Sequence, residues 1–453
     1  MGSVVDKNIL IFCAYILHKK IFVCYHYDEV MKMLLKFTIE NFEVFQKPVE
    51  LSMEANLHTR KFLSNVVQSD QGNALKSIAI YGPNNTGKTC TIEAISAYRN
   101  VLLNRPFRYS ANVFSESTVV NLGAEFLSDG SRFAYSFAYD TEAEEYQKEH
   151  FGRIEIDEHG NRKEIVYFER DTKSKTSYSS DERLADIIGL SSKDSILIYS
   201  FDTSDFPLLE EAKYVLRKFA DSIVFLSMNR ISPFKTIEVL KNPNTKEAKK
   251  VVSLIRAADL DIDDFKYAES MEIEIRPDED KDKDERLEKA LKNADRLMDQ
   301  LRLISIHRGR PLPSIKFDSS GTKKIVALAS YIVEALEKGK ILIIDELDSG
   351  LQFKISREII SLFNNYINTS AQLICTTHDV SLLDIKTLFR KDQIWFTDKD
   401  TDQAYLYSLA LFTAEKAGIR TESDIIDKYS KGAFGALPDP SLVEALISVS
   451  EED

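Results

Sequence analysis

An α/β fold with a mixed sheet core, an antiparallel β lobe and an inserted helical lobe is predicted by three observations. The first is an apolar run, Ile78-Ala79-Ile80-Tyr81, that feeds Gly82-Pro83-Asn84-Asn85-Thr86-Gly87-Lys88-Thr89 and then a helical stretch with Ile92 and Ile95 three apart. Strand, glycine-rich turn and helix in that order open an α/β unit. The second is a distant apolar run, Lys340-Ile341-Leu342-Ile343-Ile344, ending in Asp345-Glu346, which reads as a fully buried parallel strand. Between them, Val119 to Phe126, Phe133 to Tyr139 and Ile165 to Phe168 alternate and are separated by charged turns, so they read as antiparallel strands. Helical patterns follow from about Ser180 to Lys241.

Taken in chain order, residues 1–30 are an uninformative extension. Ile9 to Leu17 is apolar but too short to span a bilayer, and His18-Lys19-Lys20 interrupts it before Ile21. No charged leader or small-residue cleavage site marks a signal peptide. Met31 and Met33 stand just before the first well-patterned strand, Leu34 to Phe42; Val44-Phe45 and Val49 to Met53 follow as its hairpin partner. Two strands are therefore expected before the strand that feeds the glycine-rich turn. Residues 31–175 form the first part of the core and the antiparallel sheet, 176–310 the helical insertion, and 311–453 the returning part of the core. Within the insertion, Pro277 to Asp284 is a mixed-sign charge run expected to be solvated, and Leu287, Leu291, Ala294, Met298 and Leu301 share one helix face.

Composition bounds the function. With 453 residues, 43 % hydrophobic and 29 % charged, the chain is an ordinary globular protein and not a disordered one. A net charge of −13 excludes a surface that is basic throughout, so any nucleic acid would have to meet a local patch or an assembled groove. The four cysteines, Cys13, Cys24, Cys90 and Cys375, show no C-x-x-C spacing, which points to a reducing, cytoplasmic compartment.

The chemistry is carried by an ordered set of motifs. The turn from Gly82 to Thr89 has the G-x-x-x-x-G-K-T spacing of a phosphate cradle, which makes ATP or GTP the first ligand to consider. Gly82 and Gly87 let successive backbone N–H groups face phosphate oxygens, and the helix beginning after Gly87 adds its positive dipole end. Pro83, Asn84, Asn85, Thr86 and Cys90 complete the cradle; Lys88 reaches the β and γ phosphates, and the Thr89 hydroxyl is a Mg²⁺ ligand. Asp345 is the second Mg²⁺ ligand, and Glu346 is placed to polarise the water that attacks the γ phosphate. Phe317-Asp318-Ser319-Ser320-Gly321-Thr322 is a small-residue turn opening the helical run Ile325 to Glu337, a second anion-binding helix start. Leu347-Asp348-Ser349-Gly350-Leu351 follows the acids, and Leu373 to Asp379 is a strand ending in Thr376-Thr377-His378, with His378 a γ-phosphate contact.

This order of motifs resembles the ABC-type ATPases of the SMC, RecF and OLD-nuclease group. The Leu34 to Phe45 opening, Asp318 to Thr322, Ile344 to Asp348 and the ending Tyr429-Ser430-Lys431-Gly432-Ala433-Phe434-Gly435-Ala436-Leu437-Pro438 resemble, within that group, stand-alone ATPases of bacterial anti-phage loci of the abortive-infection and PARIS types. The resemblance covers about residues 33 to 440. It implies an ABC-type P-loop NTPase that uses ATP and Mg²⁺, with each nucleotide sandwiched between two copies of the chain. One copy supplies the cradle, Asp345 and Glu346; the other supplies Ser319, Ser320 and Gly321, with Asp348 at the interface. It also implies a separate effector of Toprim, nuclease or toxin type encoded nearby and controlled by this chain, and a phage protein or nucleic acid as trigger. The signature turn departs from the L-S-G-G-Q of transporters, and no glutamine is placed in the role of the Q-loop.

Ile394 to Phe396 followed by Asp398-Lys399-Asp400 has the look of a nuclease strand ending in D-x-D. Too little chain follows His378 for a Toprim domain, so Asp398 and Asp400 are expected in a solvated turn. A DNA-clamping or DNA-repair ATPase of the SMC or RecF kind is the alternative to the defence role. A transporter motor, which would require a membrane partner, fits the signature turn less well.

Overall fold

The computed structural model describes residues 31–56, 59, 61–157, 159–258, 261–268, 296–400, 403–412 and 424–437. The extension 1–30, the charge run 277–284, Leu287, Leu291, Ala294 and Pro438 lie outside them. The strands are β1 Lys32–Glu40, β2 Val49–Ser52, β3 Val66–Ser69, β4 Gly72–Leu75, β5 Ser77–Tyr81, β6 Val119–Ser128, β7 Ser131–Asp140, β8 Glu145–Ile156 and β9 Arg162–Asp171. They continue with β10 Thr176–Ser179, β11 Ile223–Ser227, β12 Asp264–Tyr267, β13 Leu303–His307, β14 Arg310–Pro313, β15 Ile341–Asp345, β16 Gln372–Thr376, β17 Ile394–Lys399 and β18 Ala404–Ser408. The helices used below are α1 Lys88–Leu102, α2 Pro207–Ser222, α3 Phe234–Leu240, α4 Lys246–Ala258, α5 Ser320–Lys338 and α6 Phe353–Asn364.

Two large sheets result. One is antiparallel throughout, in the order β10-β9-β8-β7-β6-β1-β2; the other is mixed, in the order β11-β15-β16-β5-β17-β18, with only β18 antiparallel to its neighbour. The predicted α/β class, mixed core sheet and antiparallel lobe are all present. Because strand side chains alternate between faces, the core strands serve two different interiors. Ile78, Ile80, Ile341, Ile343 and Ile374 face α1, α2 and the antiparallel sheet. Ala79, Tyr81, Leu342, Ile344, Leu373 and Cys375 face α5 and α6. α1 lies between the sheets, its Tyr98 ring stacked on Phe137 at 5.8 Å and edge-on to Phe37 at 5.5 Å. A third cluster joins α3 and α4 to α5 through Ile237, Val251, Ile255, Val326 and Val333.

Three differences from the sequence reading have physical causes. Four strands, not two, precede β5, the strand that feeds the glycine-rich turn: β3 and β4 form a short hairpin joined by Asp70-Gln71, too brief for alternation to reveal. β8 went unread because Glu145 to Ile156 is dense in charge, yet Glu149 is buried there against Arg170. The stretch read as helical from Ser180 to Lys241 contains β11, whose apolar Ile223-Val224-Phe225-Leu226 pairs in parallel with β15. β11 begins directly where α2 ends, so no turn residue announces it.

Candidate functional site

The site is assembled at the carboxyl ends of β11, β15, β16 and β5, where parallel strands present their loops together. β5 is buried along its length and delivers the chain into Gly82 at φ 155°. A Cβ at Gly82 would lie 2.3 Å from Thr397 Oγ1 and 2.4 Å from the Thr397 carbonyl oxygen, so strand β17 leaves room only for glycine. Asn85 at φ 62° and Gly87 at φ 114° complete the turn, and α1 begins at Lys88. Thr86 is buried, its hydroxyl donating to the Pro83 carbonyl at 2.9 Å and meeting Thr397 Oγ1 at 2.7 Å. Asn84, Asn85 and Thr89 are exposed, and Pro83 is half-buried. The Lys88 ammonium is folded over the turn, donating to the carbonyls of Gly82 and Pro83 at 2.7 Å each. Burial holds its pKa below the usual 10.5, against the opposing pull of Asp345, Glu346 and Asp348. Cys90 is pushed up to about 11 by burial, so its thiol stays protonated.

Across from the turn stands β15. The Thr89 hydroxyl lies 3.3 Å from Asp345 Oδ2, so the two predicted metal ligands face one another as hard oxygen donors. That donor set suits Mg²⁺, which takes one or two protein oxygens and fills the rest with phosphate and water. Thr376, at the end of β16, ties the acids together: its hydroxyl donates to Asp345 Oδ1 at 2.6 Å and accepts from the Glu346 N–H at 2.7 Å. Glu346 is a non-glycine residue at φ 56°, a conformation that costs of order 1 to 3 kcal/mol and is concentrated at functional sites. Its carboxylate accepts a hydrogen bond from the Asn229 side-chain amide, just beyond β11.

Asp348 and His378 also meet. The His378 N–H donates to the Asp348 carboxylate at 3.2 Å, and the Leu347 N–H to the Thr376 carbonyl at 3.0 Å, so the loops after β15 and β16 are locked together. Desolvation and the nearby Lys88 ammonium hold the His378 pKa below its usual 6.5, although Asp348, Glu346 and Asp345 pull the other way. The ring is therefore neutral at pH 7 and can donate one N–H.

The Ser319 turn precedes α5 and packs against the loop that follows β15. Ser319 is the N-cap of α5, its hydroxyl accepting from the Thr322 N–H at 3.1 Å. Ser319 and Ser320 are exposed, and a Cβ at Gly321 would lie 3.0 Å from the Gly350 carbonyl. Lys324, on the first turns of α5, donates to the Ser349 carbonyl at 2.8 Å.

Sequence reasoning passed over Asn229, and it named Thr397, Lys324 and Thr376 only as parts of motifs. Asn229 had one available signal, its position just after an apolar strand run, but that run was read as helix. Of the two acids expected in a solvated turn, Asp400 is exposed in the turn, whereas Asp398 is half-buried on β17, opposite Tyr405. Among the described residues no group of three or more His, Cys, Asp or Glu is placed to hold a metal ion by itself, and no helix is long and apolar enough to cross a membrane.

Residues 77–384 match the family described as "AAA domain, putative AbiEii toxin, Type IV TA system". Among solved structures the chain is similar to the SMC head domain from Thermotoga maritima, at 15 % identity, with 83 % of this chain and 98 % of that one covered and a TM-score of 0.33. It is also similar to an SmcHead bound to the C-winged helix domain of ScpA, at 12 % identity, with 83 % and 97 % covered and a TM-score of 0.42. No curated protein matches the chain. The family match opens on β5, takes in the glycine-rich turn, both acids and His378, and spans well over half the sequence; the chain belongs to this family of AAA domains.

Proposed function

We propose that the chain is a Mg²⁺-dependent ATPase that assembles by sandwiching ATP between two copies and uses that assembly to control a separate effector in bacterial anti-phage defence. The observation that carries the enzymatic part is the approach of Thr89 to Asp345, with Glu346 held one residue further on in a strained conformation. Lys88, released from the Gly82 and Pro83 carbonyls, exchanges them for phosphate oxygens. Thr89 and Asp345 hold Mg²⁺, which neutralises charge on the phosphate oxygens when bound. Glu346 accepts a proton from the water as its oxygen bonds to the γ phosphorus and the bond to the ADP oxygen breaks. His378 donates its N–H to the γ phosphate.

The sandwich is supported by the exposure of Ser319 and Ser320 at the N-terminus of a long helix, seated on the loop after β15 and open to a second molecule. A γ phosphate caged by that helix start and by the cradle makes association depend on ATP. Control of an effector is supported by the family description and by the resemblance of the closing Tyr429 to Leu437 segment to defence ATPases.

The test pairs two variants. Lys88→Ala should abolish nucleotide binding, whereas Glu346→Gln should bind ATP and accumulate as an ATP-dependent dimer visible by sedimentation velocity. Normal turnover by Glu346→Gln would show that its role is assigned wrongly. Co-expression with the products of adjacent reading frames, followed by copurification, tests the effector.

A further inference from the structure

The geometry points to Asn229 as a positioning residue for Glu346, and as the joint that connects this carboxylate to helix α5. This rests on the reading of Glu346 as the group that polarises water. Asn229 is exposed and follows β11, the strand paired with β15. Its amide is used at both ends. Nδ2 donates to Glu346 Oε2, and Oδ1 accepts from the Ser349 hydroxyl at 2.8 Å. The amide can sit only this way round, because the reverse would set its carbonyl oxygen against a carboxylate.

Ser349 carries the connection onward, since Lys324 Nζ lies 2.8 Å from its carbonyl oxygen and 3.3 Å from its hydroxyl. Lys324 belongs to α5, five residues beyond the Ser319 cap. Three side chains from three separate segments thus join the carboxylate in one nucleotide site to the helix whose exposed start is read as completing another. The backbone beneath is equally constrained: the Met228 N–H donates to the Asp345 carbonyl at 3.1 Å, fixing where Asn229 emerges. An exposed asparagine has water available to it, so engaging both ends of its amide with protein serves to hold the groups it touches. Glu346, already confined by its φ of 56° and by Thr376, is left with one hydrogen-bonded orientation of its carboxylate.

The test measures ATP turnover by full-length wild type, Asn229→Ala, Asn229→Asp, Ser349→Ala and Glu346→Gln. A hydrogen bond to a charged group corresponds to about a tenfold to hundredfold effect, so Asn229→Ala should lower kcat by that factor with KM for ATP within about twofold. Asn229→Asp keeps the shape and the bond from Ser349 but sets a negative charge against Glu346, so its kcat should fall below that of Asn229→Ala. Ser349→Ala leaves the Asn229 to Glu346 bond and cuts the path to Lys324; its kcat should fall by a smaller factor, about fivefold. An Asn229→Asp enzyme as active as wild type would show that Asn229 only packs, and would overturn the proposal. So would wild-type kcat in all three Asn229 and Ser349 variants while Glu346→Gln is inactive. Wild-type turnover by Glu346→Gln would instead overturn the reading of the site on which the proposal depends.

Discussion

Replacing Gly82 with alanine should abolish most nucleotide affinity while leaving a cooperatively folded protein, and the structure gives the reason. The new methyl carbon would stand 2.4 Å from the Thr397 carbonyl oxygen, whereas ordinary contact begins at 3.4 Å, so turn or strand must move by about 1 Å. Adopting φ 155° with a side chain adds strain of order 1 to 3 kcal/mol, and overpacking adds roughly as much again. That total is smaller than the stability typical of a domain, about 5 to 15 kcal/mol, so the variant should fold. A cradle displaced by about 1 Å, however, loses hydrogen-bond geometry to an anion, and two such bonds are together worth about 3 to 6 kcal/mol. The affinity for a fluorescent ATP analogue, read by anisotropy, should therefore drop at least about a hundredfold while the melting transition stays cooperative. Thr397→Ala should not rescue it, because the nearest obstacle that remains is backbone. Gly87→Ala differs: its methyl would meet the Phe45 ring at 2.7 Å, so Phe45→Ala should restore part of the binding. Native affinity in Gly82→Ala would refute the reasoning.

Two further outcomes concern stability. Arg170→Met should destabilise the antiparallel lobe by about 3 to 5 kcal/mol in urea unfolding, because it strands the buried Glu149 carboxylate with only the Tyr135 hydroxyl at 2.8 Å and the Leu197 N–H at 3.0 Å; adding Glu149→Leu should recover much of the loss. Lys76, buried with its ammonium on the Asn365 carbonyl, has its pKa lowered by that burial to about 8 from 10.5. Below pH 8 both folded and unfolded states carry the charge, and the folded state bears the full cost of burying it. Between about pH 8 and 10.5 the unfolded state binds more protons, so stability from this group rises with pH. The difference in unfolding free energy between wild type and Lys76→Met should therefore shift towards wild type across that window, and a pH-independent difference would contradict the assignment.

The glycine-rich turn and the Asp345-Glu346 pair were legible because their information is local: spacing sets which backbone groups turn and which residue ends a strand. The same holds for Ser319, whose capping of α5 needs only the residues that follow it. β8 and β11 were not legible. Glu149 looks like a surface residue until Arg170, a strand away, arrives to pair with it, and Ile223 to Ser227 becomes a strand only because Ile341 to Asp345 lies beside it.

By itself the sequence determined an α/β P-loop chain, the candidate residues for phosphate and metal, and the order in which they come. Tertiary structure alone decided that Thr397 closes the space at Gly82, that Thr376 joins Asp345 to the Glu346 backbone, and that Asn229 takes hold of the Glu346 carboxylate. Those partners are brought together by the pairing of parallel strands, and strand pairing across so many intervening residues leaves no local pattern along the chain.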